Sequence, residues 1–325
     1  MKFIVITSIF SPTEAVRAFA QKSGFELVVV ADKKSPQDWK LDGATYLSVQ
    51  EQAQLTYELQ RVLPYNHYCR KMLGYVWAMH SGATSIIDTD DDNIPYEDWD
   101  FPALGGSFDC IPEESGFVNM YEYFSDMKIW PRGLPLRLIN TATTDSIELG
   151  TSDCQIGVWQ GLADEDPDVD AIYRLVSDEP CYFEKRDPIV LKPGSLCPFN
   201  SQNTLVRREL FPLLYLPSFV TFRFTDILRG LVAQPIMWSS GYQLGFTQAT
   251  VVQKRNPHDY MRDFVSEIPM FEHTERVVEL VSAVVSQGRG IDSNLHAAYD
   301  ALRAHGIVQP EEMIPLEAWL RDLGY

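Results

Sequence analysis

Short β-branched apolar runs alternate with stretches of helical spacing through the first third of the chain. KFIVITSIF (Lys2 to Phe10) and FELVVVAD (Phe25 to Asp32) have the length and composition of buried strands. Thr13 to Ser23 between them has helical spacing, with Thr13 placed to cap, so the three form a β-α-β unit. A weaker strand at Ala44 to Val49, a helix from about Glu51 to Val62, a second from about His67 to His80 and the strand TSIID continue the alternation. This predicts an α/β fold, with a mostly parallel sheet covered by helices on both faces. In such folds ligands sit in the crevice beyond the carboxyl ends of the strands, where Asp32 and Asp88 to Asp92 fall. From Pro95 to roughly Pro198 the periodicity breaks up among Pro, Gly and aromatic residues, as in irregular segments that build a site on a regular scaffold. Helical spacing returns at Asp226 to Ala233, and beyond about Thr274 two or three amphipathic helices are expected. The organisation read from this is a main domain over residues 1–270 and a C-terminal helical extension over 271–325.

Composition narrows the function. The 325 residues are 45% hydrophobic and 12% aromatic, enough to bury a full core. The net charge of −18 disfavours a nucleic-acid partner, and an anionic substrate would need a cation to mediate its approach. No apolar window is long enough for a membrane span, and MKFIVITSIFSPTEA is broken too early by Pro12 and Glu14 to act as a signal peptide, so a cytoplasmic location is expected. The five scattered cysteines lack C-x-x-C spacing, which gives neither a disulfide framework nor a zinc site and leaves them as small buried hydrophobes.

The candidate chemistry starts at SIIDTDDDNIP (Ser85 to Pro95), where an apolar strand runs straight into aspartates. Mg²⁺ and Mn²⁺ prefer carboxylate oxygens, and Mg²⁺ typically takes only one or two from protein, completing its shell with water and phosphate. Residues two apart in extended chain share a side, so Asp90 and Asp92 can face one ion while Asp91 faces away. The alternative is an acidic turn ended by Asn93 and Pro95. The equally acidic DEDPDVD (Asp164 to Asp170) follows GVWQG rather than a β-branched run, and reads as a loop with a capping role.

The D-x-D looks like the metal motif of nucleotide-sugar-dependent glycosyltransferases of the GT-A fold. Arg70 to Asn93, WPRGLPL (Trp130 to Leu136), PFNSQNTL (Pro198 to Leu205), FVTFRFTDILRG (Phe219 to Gly230) and VVQKRNPHDYMRDF (Val251 to Phe264) together resemble the STELLO-type glycosyltransferases over most of residues 1–270. The resemblance implies a metal-dependent glycosyltransferase of GT-A-like fold. Its donor would be a nucleoside-diphosphate sugar, expected to be a UDP-sugar, with Mn²⁺ or Mg²⁺ as cofactor. The acceptor would be a glycan, lipid or small molecule. A nucleotide-sugar mutase of the UDP-arabinopyranose type and a catalytically silent binding or scaffold protein are the alternatives.

Within this frame Asp32 can accept a hydrogen bond from the imide N–H of uracil or thymine, with Thr7 beside it, or can be a strand-to-turn aspartate. Similar enzymes place a basic residue near Arg70 and Lys71 on the ribose or diphosphate, and Asp91 is grouped with these nucleotide contacts. Gly74, in the same helix, allows close packing on the sheet. Arg132, between prolines and Gly133, suits bidentate contact with phosphate or carboxylate, or a structural salt bridge. Asn200, Ser201, Gln202 and Asn203 suit sugar hydroxyls, although consecutive side chains cannot all face one ligand. Asp226 is the candidate general base if the reaction inverts configuration, and otherwise a helix N-cap. GT-A enzymes of similar pattern carry a late histidine as a further metal ligand, which points to His258, and Lys254 and Arg255 beside it are expected near the diphosphate.

Overall fold

A computed structural model describes residues 1–144, 147–254 and 259–325. The first half contains β1 (Lys2–Ser8), α1 (Glu14–Phe19), β2 (Phe25–Ala31), β3 (Ala44–Leu47), α2 (Val49–Gln52), α3 (Glu58–Val62), α4 (Lys71–His80), β4 (Ser85–Thr89), β5 (Asn93–Pro95), β6 (Gly105–Ile111) and β7 (Gly116–Phe117). The second contains β8 (Gly150–Asp164), α5 (Ala171–Val176), β9 (Ile189–Leu191), β10 (Ser195–Leu196), β11 (Asn203–Arg207), α6 (Thr225–Ser239), β12 (Gln243–Gln253), α7 (Tyr260–Val284), α8 (Ile291–Ala304) and α9 (Met313–Asp322).

The expected α/β architecture is present. The main sheet has the order β3-β2-β1-β4-β11-β8-β6-β9-β12-β5. Strands β3, β2, β1 and β4 run parallel, whereas β11 enters antiparallel to both β4 and β8 and makes the second half mixed. Alternate residues of β1 and β2 explain why both faces must be covered. Val5, Val28 and Val30 belong to one hydrophobic cluster, and Ile4, Ile6, Leu27 and Val29 to another across the sheet.

Local signals formed several elements as read. Thr13 Oγ1 accepts the Val16 N–H and starts α1. A Cβ on Gly74 would lie 2.6 Å from Val30 Cγ2 and 2.7 Å from Val5 Cγ1, so only glycine lets α4 approach the sheet this closely. The helix expected over Glu51 to Val62 is instead two short pieces, α2 and α3. Asp322, far along the chain, accepts the Glu58 and Leu59 N–H groups at 2.8 Å each and caps α3. The loop reading of Asp164 is also corrected, because GTSDCQIGVWQGLAD is the long strand β8 and Asp164 ends it. Its Gly, Gln and Asp residues hide a strand whose partners on both sides supply the hydrogen bonds.

Residues 270 and 271 both lie inside α7, which packs on α6 and α8. Trp319 and Tyr299 of the last helices share one hydrophobic cluster with Val5 and Met72. Among the described residues no helix is long and apolar enough to cross a membrane.

Candidate active site

The strand order places a crevice where the sequence pattern expects one. β1 has β2 on one side and β4 on the other, so the sheet reverses its winding at β1, and ligand sites form beyond the carboxyl ends of strands at such a point. A cavity of about 360 Å³ opens there. It brings together Thr7, Asp32, Asp90, Asp91 and Asp92 with Arg132, Asn200, Gln202 and Asp226.

At the end of β4 the four aspartates have four different environments. Asp88 is wholly buried between Lys71 Nζ at 2.7 Å and Arg229 Nη1 at 2.6 Å. Burial pushes its carboxyl up, but the two cations outweigh that and hold it below the usual range. Lys71 Nζ also donates to the Thr89 carbonyl at 2.6 Å and to Asp90 Oδ1 at 2.9 Å, so protein oxygens accept all three of its protons. Burial pushes Asp90 up to about 7, against the pull of Lys71 and with Asp92 and Asp88 adding to the rise. Asp91, also at the cavity, is tied to the first strand and its following turn: its carboxylate takes the Ser8 hydroxyl, and its carbonyl takes Thr13 Oγ1 at 2.6 Å. Gln253 Nε2 donates to Asp92 Oδ2 at 3.2 Å.

No group of three or more His, Cys, Asp or Glu side chains gathers as a metal cage among the described residues. Two cavity-lining carboxylates, Asp90 and Asp92, nevertheless fit what a hard divalent ion takes from protein when phosphate and water complete its shell. His258 and Arg255 lie outside the described residues.

The neighbouring basic residues serve the scaffold. Arg70 is fully buried, with Nε on Gln52 Oε1 at 3.0 Å, Nη1 on the Leu63 carbonyl at 3.3 Å and its guanidinium 4.0 Å from the Tyr65 ring centre. Neither Arg70 nor Lys71 lines the cavity. Asp32 does, while accepting Lys33 N–H at 2.7 Å and His67 N–H at 3.1 Å. Thr7 Oγ1 is tied to the Val30 carbonyl at 3.1 Å. Tyr68, His67 and the largely exposed Phe222 complete this end, the latter two rings 6.4 Å apart and edge-on.

A second wall is built from charges that pair with one another. Arg132 binds Asp168 through Nε and Nη2 at 2.8 Å each, reaches Asp226 through Nη2 at 3.1 and 3.0 Å, and donates Nη1 to the Arg223 carbonyl. Asp226 also accepts the Ser201 N–H at 3.2 Å. It stands inside the first turn of α6 and is not the N-cap, which is Phe224 with no side-chain bond. A carboxylate in the first turn still suits the helix dipole. Arg223, also a cavity residue, donates Nε to buried Glu267 at 2.9 Å.

The amide run divides, and Asn203, expected among the ligand contacts, is instead structural. Asn200 and Gln202 line the cavity, whereas buried Asn203 receives Trp99 Nε1 at 3.2 Å and donates to Thr250 Oγ1 at 2.8 Å. In the acidic run, Asp170 does cap α5, accepting Tyr173 N–H at 2.9 Å, and Asp166 pairs with Arg174. Asp168 was missed as a site residue. The signal was a carboxylate at every second position from 164 to 170, a spacing that suits pairing to several partners better than a single cap.

This architecture can be set against known proteins. The family model of STELLO glycosyltransferases matches residues 223–325, which carry Arg223, Asp226 and the helices behind them but not the D-x-D. Two Arabidopsis thaliana proteins match nearly the whole of this chain: "Probable glycosyltransferase STELLO2", 28% identical over 348 aligned positions, and "Probable glycosyltransferase STELLO1", 27% identical over 341. The chain is similar to the STELLO glycosyltransferases. Either match covers 99% of this chain, and the chain spans 44% of the length of each STELLO relative. The resemblance carried by the separated sequence blocks is thereby borne out, and the STELLO similarity extends over both walls of the cavity.

Proposed function

We propose that this chain is a glycosyltransferase that uses a nucleoside-diphosphate sugar, with UDP as the nucleotide and Mn²⁺ or Mg²⁺ at Asp90 and Asp92. The observation that carries this reading is the convergence, in one switch-point cavity, of two strand-end carboxylates with Asp32 and with the Asp226 wall. Similarity to STELLO relatives supports the reaction class. Asp32 and Thr7 would receive the base, and the cation would offset charge on the departing diphosphate. Asp226 would accept the acceptor's hydroxyl proton, and its bonds to Arg132 and Ser201 N–H would fix it in place.

Titration with UDP in the presence of Mn²⁺ tests the donor half. Asp90→Ala and Asp92→Ala are expected to abolish the Mn²⁺-dependent part of UDP binding while the variants stay folded, because Lys71 keeps its pairing with Asp88. Parent-like Mn²⁺-dependent binding in both variants would remove the metal from this site.

A further inference from the structure

Resting on the proposed nucleotide-sugar reading, we propose that His67 selects the base: its ring donates Nε2–H to a carbonyl of uracil, beside the imide N–H that Asp32 accepts, and the two residues together turn cytosine away.

His67 lines the cavity half-buried and follows Asn66, whose φ of 54° lies in the left-handed region that asparagine tolerates. The His67 N–H donates to Asp32 Oδ2 at 3.1 Å, so the backbone itself joins the histidine to the end of β2. A second contact fixes the hydrogen-bonding sense of the ring. Cys69 N–H meets Nδ1 at 3.1 Å, and because a backbone N–H can only donate, Nδ1 holds no proton. Burial pulls the imidazole below its ordinary value although Asp32 opposes this, so the ring is neutral and carries its one proton on Nε2. Among the described residues that N–H has no hydrogen-bond partner, and the Phe222 ring stands edge-on to the imidazole at 6.4 Å.

Asp32 supplies the complementary sense. Its two oxygens take one backbone N–H each, from Lys33 and His67, and a carboxylate has about four acceptor positions, so it can accept a further N–H from the cavity. An acceptor next to a donor matches the edge of uracil, where an imide N–H is flanked by carbonyls. It opposes cytosine, whose unprotonated ring nitrogen stands beside an amino group. Lys34, the exposed ammonium at this end of the cavity, favours the phosphates of either nucleotide and does not distinguish the bases.

Calorimetric titration at about pH 7.5 in Mn²⁺, with UDP and CDP as probes, tests this on the parent, His67→Asn and His67→Gln. The parent is expected to bind CDP at least about tenfold more weakly than UDP, the scale of one mismatched pair of hydrogen bonds. Asn can still accept the Cys69 N–H but is too short to set a donor where Nε2 stands, so UDP should weaken about fivefold or more while CDP stays within about twofold. Gln reaches that place with an amide N–H while giving up the cap, and should keep UDP within about threefold of the parent. A residue that only caps the turn would behave the other way, with Asn parent-like and Gln impaired for both nucleotides, and that result overturns the assignment. An unchanged gap between UDP and CDP in His67→Asn overturns it too, while leaving the uridine reading intact. Equal binding of UDP and CDP by the parent removes the assignment and the choice of uridine with it, leaving a site for nucleoside diphosphates in general. Absence of any UDP binding defeats the proposed function and this assignment together.

Discussion

Replacing Lys71 with Met gives the sharpest test of how the acidic strand end is held. The ammonium is wholly buried and makes contacts of 2.7 Å to Asp88, 2.6 Å to the Thr89 carbonyl and 2.9 Å to Asp90. Removing one partner from a buried ion pair costs about 3–5 kcal/mol, because the other charge is left uncompensated. Two features place this case at the lower end. Asp88 retains Arg229 at 2.6 Å, and the Asp90 side chain is 33% exposed, so it can rehydrate or take up a proton. The expected loss is therefore about 3 kcal/mol at pH 8. Adding Asp90→Asn to Lys71→Met should restore about 1 kcal/mol, the cost of the charge that lost its partner. Urea unfolding followed by tryptophan fluorescence and by far-ultraviolet circular dichroism measures both, provided the slope with denaturant is unchanged. A loss below about 1 kcal/mol would refute the argument, since it would mean that Lys71 does not neutralise these carboxylates.

Gly74→Ala should destabilise by about 1–3 kcal/mol, since the new methyl would meet Val30 and Val5 at 2.6 and 2.7 Å, and Val30→Ala in the same chain should recover part of it. Asp226→Asn keeps an oxygen for Ser201 N–H and removes the proposed base, so turnover should fall about 100-fold or more with little change in UDP affinity; unchanged turnover would take Asp226 out of proton transfer. Asp170 is pushed up to about 6 by burial, with the Tyr173 N–H and Trp130 indole opposing the rise and Glu267 adding to it. Because its folded value lies above the unfolded one, its stability contribution is complete below about pH 4 and lost as pH rises through about 6, so Asp170→Asn should gain on the parent by up to about 3 kcal/mol between those limits. Parallel pH profiles of unfolding free energy for the two proteins would contradict that.

Local information was enough for the parallel half of the molecule and not for the rest. Strands β1, β2 and β4 read clearly because both faces of each are buried and each has a run of β-branched or apolar residues at its centre. Thr13 and Gly74 were legible because a cap and a close approach leave their mark on one residue. By contrast, β8 is held by neighbours on both edges and can carry polar residues that mask its period. The break between α2 and α3 was hidden because the acid that caps α3 is Asp322, at the other end of the sequence. At the site, Asp90, Asp92, Asp32 and Asp226 were picked out by residue type and strand-end or helix-start position, and the fold brings all four to one cavity. The pairing of Arg132 with Asp168 was not legible, since no spacing joins two residues 36 apart before the fold brings them together.

The two cations on Asp88 reach it at different times in the life of the chain. Lys71 is 17 residues away and is made before it, whereas Arg229 comes 141 residues later. At about 5–20 residues per second of synthesis, roughly 7–28 s pass between the carboxylate and its second partner. β11, which covers the open edge of β4, also emerges late in that interval. A ribosome-bound chain that ends before β11 therefore presents a bare parallel strand beside a half-neutralised acid, and is the form of this protein most exposed to chaperone capture and to edge-to-edge association.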